Sequence, residues 1–251
     1  MLRRSIALGS AAAFAVLATS VRLGLLDTFD SIVREWARPH DAWGPAQVHA
    51  NLVVDGLQPA ILALLLAAVT AASCVRRRSL RPATFVGGVS LVTVALTVAS
   101  QTAVSRPDPH GSLPNSYGGS FPSGHTVAAV VCLGLAVLVA LPRAGGWIWL
   151  IPALGGSLMG ASLLLQAAHW STDVVGGGLL ATGVLAVATA SGWTRWSHGW
   201  SETDRESAAT DVGSTSPLTL AALISADFET RLETSPLRWS PTVTILPHAE
   251  F

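Results

Sequence analysis

The chain has 251 residues, half of them hydrophobic and only 12% charged, with a mean hydropathy of +0.51. An ordinary soluble domain carries about 25% charged residues, so this deficit argues against one and points to a chain that crosses a membrane several times. The formal net charge is zero, which implies no polyanionic partner, and no basic stripe suggests a nucleic acid.

All fifteen basic residues are arginine, a bias that GC-rich coding explains. Six apolar segments follow along the chain, at about 5–26, 56–75, 82–104, 124–141, 147–168 and 174–192. Most have the ~20 residues that a membrane helix needs. The first carries Arg22 near its end, where a long side chain snorkels to the interface. A cleaved signal peptide is the alternative for this segment, given its Arg-Arg start. The stretch 27–55 holds Asp27, Asp30, Arg34, Glu35, Trp36, Arg38 and Trp43, and reads as an amphipathic segment lying on the membrane surface. Cys74 and Cys132 fall in apolar runs and read as buried thiols.

Arginine placement gives the orientation. Arg3 and Arg4 precede the first span, Arg76, Arg77, Arg78 and Arg81 fill the loop after the second, Arg143 follows the fourth and Arg195 the sixth. With alternating spans these share one side, the cytoplasmic one, and the loops 27–55, 105–123 and 169–173 face outward. Trp147, Trp149, Trp193 and Trp196 lie at predicted interfaces. Residues 201–251 hold eight of the fifteen acids with many Ser, Thr and Pro. They read as a mostly disordered cytoplasmic tail, with a short helix near 218–233. The expected architecture is all-α: a six-transmembrane-helix bundle over 1–195, followed by a polar tail over 196–251.

Polar residues with chemical capacity sit in the outward loops. Phe121-Pro122-Ser123-Gly124-His125-Thr126 leads into the fourth span. Ser123 and Gly124 offer backbone N–H groups at a helix start, where orphan donors and the helix dipole favour an anion, and His125 follows on the first turn. His169-Trp170-Ser171-Thr172-Asp173 leads into the sixth span. On a helix, His169 and Asp173 share a face, and a carboxylate on one imidazole nitrogen leaves the other free to attack. Ser171 or Thr172 is the expected cap of that span. Forty-four positions separate the histidines. That is room for two spans of ~20 residues and a turn, so both are expected on one face. The third loop holds Arg106-Pro107-Asp108-Pro109-His110.

These segments resemble the phosphatidic acid phosphatase type 2 and haloperoxidase family over roughly residues 25–190. Pro122 to His125 matches its Pro-Ser-Gly-His motif, and Ser162, His169 and Asp173 match Ser-Arg-x5-His-x3-Asp. The resemblance implies a membrane lipid phosphatase without metal or other cofactor, acting on a phospholipid or polyprenyl phosphate at the outer face of the cell membrane. His169 would be the nucleophile, Asp173 its orienting group and His125 the proton donor. The amides of Ser123 and Gly124 would hold phosphoryl oxygens, with Arg106, Gln101 and His110 the nearest replacements for missing cations. The departures are specific. Leu163 stands where the third motif has arginine. The Lys-x6-Arg-Pro motif fits either Ala99 with Arg106 or Gln101 with Asp108. The alternative is a member that has lost catalysis and binds a head group or a membrane partner.

Overall fold

The computed structural model describes residues 2–113, 118–141 and 147–190, except for the side chain of Trp147. Eight α-helices follow in order: α1 Leu2–Arg22, α2 Asp27–Ala37, α3 Pro45–Gly56, α4 Pro59–Arg77, α5 Arg81–Val104, α6 Gly124–Ala140, α7 Trp147–Leu165 and α8 Ser171–Ala190. No β-strand occurs among the described residues. The protein is all-α, as the composition predicts. Proline opens α3 at Pro45, α4 at Pro59 and the first turn of α5 at Pro82, where its missing N–H costs nothing.

Five helical stretches are long and apolar enough to cross a membrane, and α6 is a shorter apolar helix. Its 17 residues reach ~26 Å at 1.5 Å per residue, slightly less than a hydrocarbon core of ~30 Å. α6 nevertheless occupies the centre. Its Val127, Val130, Val131, Leu135 and Leu138 are buried with Leu66 of α4, Phe85 of α5 and Leu185 of α8. A second cluster joins Leu62 of α4, Ala129 of α6, and Met159 and Leu163 of α7. Trp149 packs against the first cluster. α1 lies along α8, and its Phe14 ring stacks on Phe121 with centroids 5.7 Å apart.

Arginines close the helix ends. Arg3 donates to the Thr189 carbonyl, Arg22 to Ala103, Arg38 to Gln166, Arg76 to Ala140 and Arg77 to Val139. Each acceptor lies at or just beyond the C-terminal end of another helix, where carbonyls lack intrahelical partners and the dipole is negative.

The stretch 27–55 is not one surface segment. It forms α2, a 3₁₀ turn at Pro39–Asp41, and α3, and α3 leads through Leu57 and Gln58 into α4. α2 exposes Phe29, Ile32 and Trp36 while Asp30 is 1% exposed. Its apolar face is thus presented outward and a carboxylate goes into the bundle. Both cysteines are free thiols. Arg143, Trp193, Arg195, Trp196, the tail 196–251 and its expected short helix lie outside the described residues.

Candidate active site

The turn before α6 is built around its neighbours' backbone. Ser123 is the N-cap, its hydroxyl accepting from the Thr126 N–H at 3.4 Å and the Thr126 hydroxyl at 3.2 Å. The Ser123 N–H donates to the Asp173 carbonyl at 3.0 Å, which ties the start of α6 to the start of α8. This bond corrects one expectation, because the Ser123 amide is engaged within the protein. The N–H groups of Gly124 and His125 have no hydrogen-bond partner among the described residues. They are the orphan donors available to an anion at this helix start.

The His125 and His169 rings come together with centroids 6.2 Å apart at an interplanar angle of 65°. Asp173 is fully buried. Its Oδ2 lies 3.4 Å from His169 Nδ1 and accepts from the Trp170 N–H at 3.1 Å. The contact arises differently from the expectation. His169 lies in the loop before α8, while Asp173 is in the first turn of the helix. The carboxylate folds back over the helix start, satisfies the amide just outside it and meets the imidazole there. Nε2 of His169 is left facing away from the carboxylate.

Arg106 is 9% exposed and both of its terminal nitrogens are engaged. One terminal nitrogen donates to the Thr172 hydroxyl at 2.7 Å and Asp173 Oδ1 at 3.2 Å; the other donates to Asp30 Oδ2 at 2.8 Å and Asp27 Oδ1 at 3.2 Å. Its guanidinium also lies 5.1 Å from the centre of the Trp170 ring. Such a cation stands behind the histidine–aspartate pair.

Asp30 is the residue that sequence reasoning missed. It accepts from the Thr172 N–H at 3.0 Å, the Thr172 hydroxyl at 2.6 Å, the Ser171 hydroxyl and Arg106. Burial alone would raise its carboxyl, but bonds from Ser171, Thr172 and Arg106 outweigh it and hold the group below the usual carboxylate range. The cap of α8 is therefore Asp30, supplied from α2, rather than Ser171 or Thr172. Both hydroxyls serve as donors to it.

The other candidates stand around this centre. Gln101 is buried and its amide nitrogen donates to the Pro122 carbonyl at 3.1 Å, steadying the turn ahead of α6. Gly119 packs so tightly on the Arg106 backbone that a Cβ would overlap it, and Ser120 N–H donates to the Arg106 carbonyl at 2.6 Å. Asp108 accepts from the His110 N–H, the Ser112 N–H and the Ser112 hydroxyl. It is held within its own loop, with exposed His110 beside it. Leu163 is 2% exposed inside the second apolar cluster.

A groove of about 1160 Å³ runs from this site between α4, α5 and α6. Gln101, Gly124, His125 and His169 line it at one end, and Cys74, Val75 and Leu80 at the other. Along α4 it extends from Pro59 to Val75, ~24 Å at 1.5 Å per residue, most of a hydrocarbon core of ~30 Å.

The sequence matches the PAP2 superfamily over residues 58–197. The chain belongs to this superfamily. The match spans both histidine turns, the groove and α4 to α8, but leaves out α2. The fold is also similar to a crystal structure described as the first transmembrane PAP2-type phosphatidylglycerolphosphate phosphatase from Bacillus subtilis. The TM-score is 0.60 at 18% identity, covering 73% of this chain and 94% of that one. A search of curated proteins finds no match. Superfamily membership and the apolar helices together support a multi-pass membrane protein of phosphatase type.

Proposed function

We propose that this protein is a membrane lipid phosphatase that hydrolyses a phosphomonoester or pyrophosphate through a phosphohistidine. The observation that carries the reading is the pair of histidines facing one another at the end of a long apolar groove, with Asp173 on one of them. The groove takes the lipid chain. The phosphoryl group lies between the two rings, its oxygens on the amides of Gly124 and His125.

His169 Nε2 attacks phosphorus while Asp173 holds Nδ1 and stabilises the positive imidazole that forms. The bond from phosphorus to the lipid oxygen breaks, and His125 gives its proton to that oxygen. Water then attacks the phosphohistidine, His125 takes the proton back, and phosphate leaves with His169 restored. Arg106 contributes its charge from behind Asp173, and Gln101 and Ser123 fix the turn that aims the two amides. The arginine-rich end formed by Arg76, Arg77, Arg78 and Arg81 is opposite the histidines, which supports an active site on the extracytoplasmic face.

The test uses detergent-purified protein with dioctanoyl phosphatidate, phosphatidylglycerophosphate and farnesyl pyrophosphate. Phosphate release from at least one is expected, with ³²P trapped on His169 and release abolished by His169→Ala. Turnover that persists in His169→Ala sinks the mechanism. No release from any of the three favours a member that binds lipid without catalysis.

A further inference from the structure

We infer that Asp30, on a helix outside the superfamily match, is a positioning residue that acts through Arg106 to set the His169–Asp173 pair. The inference rests on the functional reading above. Three observations lead to it. Asp30 is 1% exposed, and a carboxylate so deeply placed is retained only with full compensation. Its acceptor sites are filled from the start of α8 and by Arg106. Arg106 in turn reaches Asp173 Oδ1, while Oδ2 of that same carboxylate meets His169.

One chain of contacts thus runs from Asp30 to Arg106 to Asp173 to His169, beside the direct bonds of Asp30 to Ser171 and Thr172. Asp27 is the other carboxylate on Arg106, but its side chain is 65% exposed and solvent weakens its hold. Asp30, buried like Asp173, is the counter-charge that α2 supplies. It draws one terminal nitrogen of Arg106 toward α2 and leaves the other to share Asp173 with Thr172. Without that pull the guanidinium settles on Asp173, and Oδ2 leaves His169 Nδ1. The charged and titratable groups joined to His169 by these contacts are His125 from α6, Asp173 from α8, Arg106 from the loop between α5 and α6, and Asp27 and Asp30 from α2.

Asp30→Asn removes the charge and keeps an acceptor for the Thr172 amide. In full-length protein in detergent, ¹⁵N-histidine spectra report the tautomer of each imidazole, with His169 assigned by its absence in His169→Gln. Wild type and Asp30→Glu are expected to hold the Nδ1–H form of His169. Asp30→Asn and Arg106→Gln are expected to shift it toward the Nε2–H form. With dioctanoyl phosphatidate, Asp30→Asn lowers kcat about tenfold to a hundredfold, the range known for losing the outer partner that orients a metal-bound histidine, with KM changed less than about threefold. The double variant is expected to be close to Arg106→Gln alone, because asparagine keeps an acceptor for the Thr172 amide and the charge that is lost acts on Asp173 through Arg106. An unchanged tautomer in Asp30→Asn, or multiplying losses in the double variant, overturns the inference. The spectra need no turnover, so they decide this point even if the wild-type protein releases no phosphate.

Discussion

Gly177 is where the two motif-bearing helices meet, and replacing it by alanine should cost activity more than stability. A methyl there would lie 2.8 Å from the Ser123 carbonyl oxygen and 3.1 Å from Thr126 Cβ, against 3.4 Å for an ordinary contact. The neighbour at 2.8 Å is backbone and cannot rotate away. α8 must retreat from α6 by a little over half an ångström to restore an ordinary contact. Asp173 lies one turn earlier on the same face, and its carbonyl holds the Ser123 amide. A misplacement of about 1 Å costs roughly a hundredfold in rate, so half of that should cost about tenfold. Overpacking costs ~1–3 kcal/mol, offset by ~1 kcal/mol of helix propensity gained over glycine. The net loss of stability is therefore at most ~2 kcal/mol. Gly178→Ala is the control, since nothing lies within 4 Å of the added methyl, and it should be neutral or slightly stabilising. Both variants are read by phosphate release from dioctanoyl phosphatidate and by thermal unfolding in detergent. Wild-type activity and melting in Gly177→Ala would refute the reasoning.

Two further results are expected. Gly87 lines the groove with open space beside it, so Gly87→Trp should raise KM for a long-chain lipid phosphate at least about tenfold, from the many apolar contacts removed, while a dihexanoyl substrate is hardly affected. Equal losses on both substrates would mean that the groove does not take the chain. Asp30 has its carboxyl held below the usual range, so its stabilisation is present above the unfolded value of about 3.9 and is lost as pH falls through the lower folded one. The melting-temperature gap between wild type and Asp30→Asn should therefore shrink between pH 6 and pH 3; a constant gap would contradict the sign.

The helices were legible because apolar length is a local property, and the meeting of His125 with His169 was legible because two spans return a chain to its starting side. Asp173 beside His169 was readable as a pair, but the reason differs. The carboxylate folds back from a helix start onto a loop residue, where the spacing suggested one helical face. Asp30 was not legible. It touches α8 across 142 positions of chain, and in α2 it sits between exposed Phe29 and Ile32, so periodicity alone gives it to the membrane surface. Arg106 could be named as a nearby cation, but its four partners come from α2 and α8 together. No spacing rule shows that a guanidinium is shared among three carboxylates. Leu163 lies among core residues, so the missing motif arginine is replaced by packing.

The arginine contacts at the helix ends also bear on how the chain is assembled. Arg3 grips a carbonyl 186 positions away, and α1 lies along α8, the last of the described helices. During synthesis the first helix therefore enters the bilayer long before its neighbour exists. Phe14 waits likewise for Phe121. A nascent chain halted before α8 would lack Asp173 and the Thr172 amide as well as the partner of α1. Sealing of the bundle and pairing of the histidine are thus the same late event in biogenesis, so a prematurely terminated product has neither a closed bundle nor a paired histidine.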